Sequence, residues 1–179
     1  VSQLQTYGSV RALSYRLATV MFTDFKGFTK IAEELTPEQL LKKLDGYFSK
    51  FDTIVDKHHI EKIKTIGDSY MAVGGIPIRN KSNPFDVVLA AIEIIHYIEN
   101  QKREDPNHAE KPWDIRIGIH TGELIAGVIG SKRFAYDIWG DTVNIANRLE
   151  TACEVGKINI SGQTYLQIKD FFECTYRGK

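Results

Sequence analysis

Cysteine is scarce in this chain, and neither sign of charge is in excess. Cys153 and Cys174 are the only cysteines in 179 residues, and they lack the paired spacing of a zinc site or a disulfide framework. A reducing cytosol fits that usage, and a cytoplasmic setting is expected. Lysine plus arginine equals aspartate plus glutamate at 23 each, so no general field draws the chain to nucleic acid or to an anionic membrane surface. Any polyanion must be met locally. No apolar run approaches the roughly 20 residues of a membrane span, and the opening lacks the basic-apolar-small order of a secretory signal. There is no internal repeat, no low-complexity stretch, and no Ser-His-Asp or Cys-His pattern of a covalent catalyst. What is present, 42% hydrophobic and 26% charged residues, describes one ordinary globular domain with a full core. The chain opens on Val1 and closes on Arg177-Gly178-Lys179 after a strand-like run. The expectation is a segment of a longer protein, with sensor or regulatory parts elsewhere.

After a lead-in over residues 1–16, alternation and helical periodicity take turns. Residues 17–22 read as a buried strand, followed by a Gly-containing turn and a helix. Thr36-Pro37-Glu38-Gln39 reads as a capping box with proline at the first helical position. Behind it, Leu40, Leu41, Leu44, Phe48, Phe51, Ile54 and Val55 recur at three and four residues as a core stripe. Strands over 60–66 and 70–73 form an expected hairpin at Gly67-Asp68. A second long helix is predicted from about Asn83 to Lys102, then a charged, proline-containing loop over 103–112. Ile115, Ile117 and Ile119 mark a strand, with a partner over 123–129 across Thr121-Gly122. Further strands are expected over 134–139 and 157–160, and a helix capped by Asp141 that runs to about Thr151. This order predicts an α/β (α+β) sandwich with a mixed, mainly antiparallel sheet and helices on one face.

Two carboxylates stand out. Asp24 ends the first strand in Phe-Thr-Asp-Phe-Lys-Gly-Phe-Thr, where the turn offers backbone N–H groups to phosphate. Asp68 follows a strand and a glycine in Lys-Thr-Ile-Gly-Asp-Ser-Tyr-Met. Each alone reads first as a turn or cap residue. Together they suit a magnesium-nucleotide site, because magnesium keeps few protein ligands and takes the rest from phosphate and water. Asp137 sits inside an otherwise apolar strand and needs a partner. Lys64 lies in a strand where a lysine usually guards an exposed edge. Asn144 and Arg148 are four apart on one helix and project together, which also describes a solvated helix face.

Phe-Thr-Asp-Phe-Lys-Gly-Phe-Thr, Lys-Ile-Lys-Thr-Ile-Gly-Asp-Ser-Tyr-Met-Ala, Gly-Ile-His-Thr-Gly and Tyr-Asp-Ile-Trp-Gly-Asp-Thr-Val-Asn-Ile-Ala-Asn-Arg occur in this order. In that combination the chain resembles a class III nucleotidyl cyclase catalytic domain over residues 17–177, most like a bacterial-type homodimeric adenylyl cyclase. The resemblance implies a ferredoxin-like βαββαβ core and the nucleotide cyclase fold. It implies that Asp24 and Asp68 hold two Mg2+ or Mn2+ ions, with the Phe25 backbone as a further ligand. The turn through Lys26, Gly27, Phe28 and Thr29 would cradle the phosphates; Lys132 or Arg133 reads equally as a further phosphate contact or as a solvated pair. Lys64 and Asp137 match the pair that reads adenine. A donor-only lysine and an acceptor-only aspartate complement adenine N1 and N6, whereas guanine presents the opposite groups. Guanylyl cyclases of the family typically carry Glu where Lys64 stands.

Asn144 matches the residue that orients the ribose, and Arg148 the one that stabilises the pentacoordinate phosphorus, where a fixed guanidinium fork can follow spreading charge. The implied reaction converts ATP to cyclic AMP and pyrophosphate. Family members form head-to-tail dimers with sites at the interface, and this chain carries both halves, so a homodimer with two sites is expected. The family's domain usually continues into a lysine-containing hairpin that this chain stops short of. Two alternatives stay open: a guanylyl cyclase, and a catalytically silent nucleotide-binding or dimerisation module.

Overall fold

Strand β1 (Leu13–Phe25) forms the middle of the molecule, pairing antiparallel with β3 (Ser69–Gly74) on one side and β4 (Ile115–Ile129) on the other. With both neighbours in place, its run from Ala18 to Phe22 is buried on both faces, which is why it reads as continuous apolar sequence rather than alternation. In the computed structural model the described residues are 12–104, 113–129 and 135–178. The expected loop beyond residue 104, the pair Lys132 and Arg133, and most of the lead-in lie outside them. The sheet order is β2-β3-β1-β4-β5, where β2 is Glu61–Ile66 and β5 is Ala135–Trp139; the short β6 (Ile158–Ile160) adds parallel to β4 and makes the sheet mixed. Four helices of the chain, α1 (Phe28–Glu34), α2 (Pro37–Lys57), α3 (Asn83–Glu104) and α4 (Asp141–Thr151), alternate with these strands, and α5 (Gly162–Ile168) follows β6. The β1-α2-β2-β3-α3-β4 path is the expected βαββαβ core.

Helix α2 starts as its sequence dictates. Gln39 N–H donates to Thr36 Oγ1 at 3.3 Å and Thr36 N–H donates to Gln39 Oε1 at 3.0 Å, so two otherwise orphaned donors are satisfied reciprocally. Its stripe buries Phe48, Phe51, Ile54 and Val55, with Leu40 and Leu44 at the margin; Leu41 instead faces solvent. Phe25 packs among Tyr47, Phe48, Phe51 and Trp113, with the Trp113 ring edge-on at 5.0 Å between centroids. Each such ring contributes about 1.5–3 kcal/mol by burial. This cluster fixes the end of β1, and with it Asp24.

Four expectations change. Strand β1 begins at Leu13, because Leu13, Ser14 and Tyr15 pair with Ala126, Ile125 and Leu124 before an irregularity ahead of Ala18; Arg16, exposed there, interrupts the apolar pattern. Thr121-Gly122 is no turn: β4 runs straight through as a 15-residue strand, with Thr121 opposite Thr19 and Gly122 opposite Ala18. Gly122 serves close approach, since a Cβ there would lie 2.6 Å from Thr142 Oγ1. Asp141 does not cap α4; Gly140 does, at φ 134 and without a side-chain bond, and Asp141 occupies the first turn, where its charge favours the helix dipole. Helices also cover both faces. Helices α2 and α3 pack on Met21 and Ile117, whereas Ala146 of α4 joins Val20 and Phe22 in a second core on the opposite side. No helix among the described residues is long and apolar enough to cross a membrane.

Candidate active site

The β2–β3 hairpin turns at Gly67, whose φ of 61 meets the positive angle required at the first central position of a two-residue turn. That places Asp68 beside the end of β1. Asp24 Oδ1 accepts from Ser69 Oγ at 2.9 Å, and Asp24 Oδ2 lies 2.8 Å from Arg116 Nη2. Arg116 is the direct cross-strand neighbour of Asp24. Asp68 lies close to Asp24, and its pKa is pushed up to about 6, first by burial and then by the Asp24 charge; its own N–H and that of Phe25 partly offset this.

The guanidinium of Arg116 reaches a third carboxylate. Its Nη2 lies 2.8 Å from Glu150 Oε1 as an ion pair without hydrogen-bond alignment, and Nη1 donates to the Thr151 carbonyl at 3.1 Å. Glu150 is buried and its acidity is weakened, chiefly by burial and next by the Asp24 charge. Two carboxylates, Asp24 and Glu150, thus share one guanidinium, and Asp68 lies against Asp24. Neither Arg116 nor Glu150 was expected from the sequence. A signal existed for Glu150, an acid in the last turn of a helix, where the dipole disfavours it without a partner. Arg116 had none, since its place opposite Asp24 depends on strand register.

Among the described residues no three His, Cys, Asp or Glu side chains converge as a ready-made metal cage. The pair of Asp24 and Asp68 nevertheless suits a divalent cation: a dication relieves both the burial of the Asp68 charge and its repulsion by Asp24, and magnesium needs few protein ligands. Beside it, α1 starts after Gly27 at φ 74, with no side-chain bond to its first N–H groups. Phe28 packs edge-on against Trp113 at 5.6 Å, so in the Lys26, Gly27, Phe28 and Thr29 turn it has only backbone to offer a phosphate.

Lys64 and Asp137 are brought together from opposite edges of the sheet. Lys64 Nζ donates to Asp137 Oδ2 at 2.5 Å, across 73 residues of sequence, while Asp137 Oδ1 accepts from the Ile138 amide at 2.9 Å. The partner that Asp137 required is therefore Lys64. Asn144 and Arg148 project from the exposed side of α4; their side chains touch neither carboxylate and have no hydrogen-bond or ion-pair partner among the described residues. The same helix turns Ala146 and Glu150 inward onto β4, where Gly118 leaves no room: a Cβ would lie 2.1 Å from the Glu150 nitrogen. A cleft of about 600 Å3 lined by His120, Glu123, Trp139 and Thr142 lies apart from these carboxylates.

Known proteins resemble this chain in sequence and fold. The chain is 39% identical over 170 residues to an adenylate cyclase of Mycobacterium tuberculosis, an alignment covering 95% of this chain and 38% of that protein. It is 37% identical over 185 residues to the receptor-type guanylate cyclase gcy-23 of Caenorhabditis elegans, covering 99% of this chain and 17% of the other. The chain thus spans well under half the length of these relatives. The crystal structure of the adenylyl cyclase CyaB from P. aeruginosa superposes with a TM-score of 0.85 at 34% identity, over 92% of this chain and 85% of that one. The Adenylate and Guanylate cyclase catalytic domain family matches residues 10–179, and to that family of class III nucleotide cyclases this chain belongs.

Proposed function

We propose that the chain is an adenylyl cyclase domain, converting ATP to 3′,5′-cyclic AMP and pyrophosphate at the interface of a homodimer. Relatives of both base preferences match, so the base choice rests on one observation: Lys64 and Asp137, remote in sequence, meet as a donor and an acceptor. Adenine satisfies both, with Lys64 donating to N1 and Asp137 accepting from the N6 amino group. Guanine would set acceptor against acceptor and donor against donor, and buried mismatches of that kind are rejected strongly. A guanylyl cyclase reading is disfavoured on the same ground.

Asp24 and Asp68, with the Phe25 backbone, would hold two Mg2+ or Mn2+ ions. When bound, these lower the pKa of the ribose 3′-hydroxyl and neutralise the leaving phosphates. Arg148 holds charge on the α-phosphate oxygens as the 3′-oxygen attacks, and Asn144 orients the ribose. The turn from Lys26 to Thr29 receives the remaining phosphates. Because Asn144 and Arg148 face away from the carboxylates of their own chain, each site takes its metals from one protomer and its base-reading and transition-state residues from the other. The intact set argues against a silent regulatory module. We place the domain in the cytoplasm, where ATP is available, within a longer signalling protein whose sensor lies outside this segment.

The test is product formation with manganese and either ATP or GTP, resolving cyclic AMP from cyclic GMP. Cyclic AMP that disappears in Asp24→Ala is the expected result. No product from a folded dimer carrying the family's C-terminal hairpin would favour the silent module. Mixing Asp24→Ala with Arg148→Ala chains should restore one intact site per mixed dimer, about a quarter to a half of the wild-type rate depending on exchange. Proven mixed dimers without activity would reject the shared site.

A further inference from the structure

Arg116 is held from two sides. On one side is Asp24, at 2.8 Å; on the other are Glu150, at 2.8 Å, and the Thr151 carbonyl, at 3.1 Å, both at the end of α4. The two sides differ in what else can claim them. Asp24 lies at the mouth of the site and also accepts from Ser69. Glu150 is 4% exposed and packs against the floor made by Gly118, with its backbone nitrogen where a Cβ would collide. The guanidinium therefore has one partner that a cation can take and two that it cannot. A cation at a helix C-terminus is further favoured by the exposed carbonyls and the dipole.

We propose that Glu150 is a positioning residue for the metal site: it keeps Arg116 anchored on α4, so that the guanidinium holds Asp24 in place before a divalent cation binds and yields it without losing its own charge partner afterwards. This rests on reading Asp24 and Asp68 as metal ligands. Without Glu150, Arg116 has Asp24 as its sole carboxylate partner and competes with the incoming metal for it. The same anchor ties the metal-binding end of β1 to α4, the helix that carries Asn144 and Arg148. In a head-to-tail dimer those residues serve the other site, so metal loading at one site is mechanically linked to the helix that completes its neighbour.

The experiment is a double-mutant cycle on Mn2+ binding alone, read from the electron paramagnetic resonance of free Mn2+, with thermal unfolding to verify the fold. Glu150→Gln should weaken Mn2+ binding by about tenfold, the lower end of what outer-shell partners of metal ligands command. Arg116→Gln should tighten it, and in the Arg116→Gln background the Glu150→Gln effect should vanish. An equal loss in both backgrounds would mean that Glu150 acts by its charge alone and would overturn the proposal, as would unchanged binding in folded Glu150→Gln. Should Glu150→Gln not fold, a looser rather than tighter Mn2+ affinity in Arg116→Gln overturns it. Asp24→Ala separates the two readings: if it leaves Mn2+ binding intact, the metal-ligand reading fails; if it abolishes binding while Glu150→Gln does not weaken it, only the role of Glu150 fails.

Discussion

Two charged constellations sit on the same sheet, and they are built on opposite principles. Around Asp24, two carboxylates share a single guanidinium, largely out of water, while a third, Asp68, crowds Asp24 with no cation of its own among the described residues. At the sheet edges, Lys64 and Asp137 are matched one to one, with Lys64 still 42% exposed at its side chain. The first is electrostatically unfinished: burial, and after it the Asp24 charge, leaves Asp68 holding its proton to about pH 6. The second is complete by itself. An unfinished cluster invites a cation, whereas a self-paired lysine and aspartate yield only to a ligand that replaces both partners at once, as the edge of a purine does.

The comparison breaks most visibly through Asp24. Asp24→Ala should reduce cyclase turnover by roughly a hundredfold or more, as expected for a group that orders the metal site, while leaving the Lys64–Asp137 contact intact. Retention of turnover would mean the carboxylate cluster is structural. A smaller change is expected at the other constellation: Lys64→Glu with Asp137→Cys should shift the ratio of cyclic AMP to cyclic GMP by about tenfold toward GTP. An unchanged ratio would remove the base-reading role from this pair.

The smallest effect is in pH. Asp68 is protonated more readily folded than unfolded, so between about 6 and its ordinary value of 3.8 the folded chain carries the extra proton. Stability of the metal-free chain therefore gains from Asp68 as pH falls through 6, by of order 1 kcal/mol once solvent screening of a half-buried group is allowed for. Urea unfolding of the chain and of Asp68→Asn from pH 7 to 5 would reveal it. A stability difference between the two that does not change over this range would deny that burial and the Asp24 charge raise Asp68.

What the sequence discloses is whatever is local. The Thr36 to Gln39 box, the Gly67-Asp68 hairpin and the α2 stripe depend on neighbours within a few residues, and the structure has them where the spacing placed them, Leu41 excepted. The Thr121-Gly122 turn was misread because glycine there answers to Thr142 on another element rather than to its own backbone angle. Arg116 and Glu150 escaped for the same reason: one is defined by strand register and the other by a helix lying on Gly118. Asp137 is legible alone as a charge in want of a partner and Lys64 only as an edge lysine; the resemblance pairs them, but their direct contact is a fact of topology, created when the outer strands β2 and β5 approach each other.

That self-pairing has a consequence for ionic strength. Added salt weakens a partly exposed ion pair and so eases its separation by an incoming base, yet it also screens the attraction between a triphosphate and the cations that receive it. Adenosine, which has no phosphate to screen, should enter more readily as salt is raised, while ATP should enter less readily. On the proposed base-reading role, a nucleoside and its triphosphate would then respond to the same buffer with opposite sign, because the pair that the base displaces is itself an electrostatic bond.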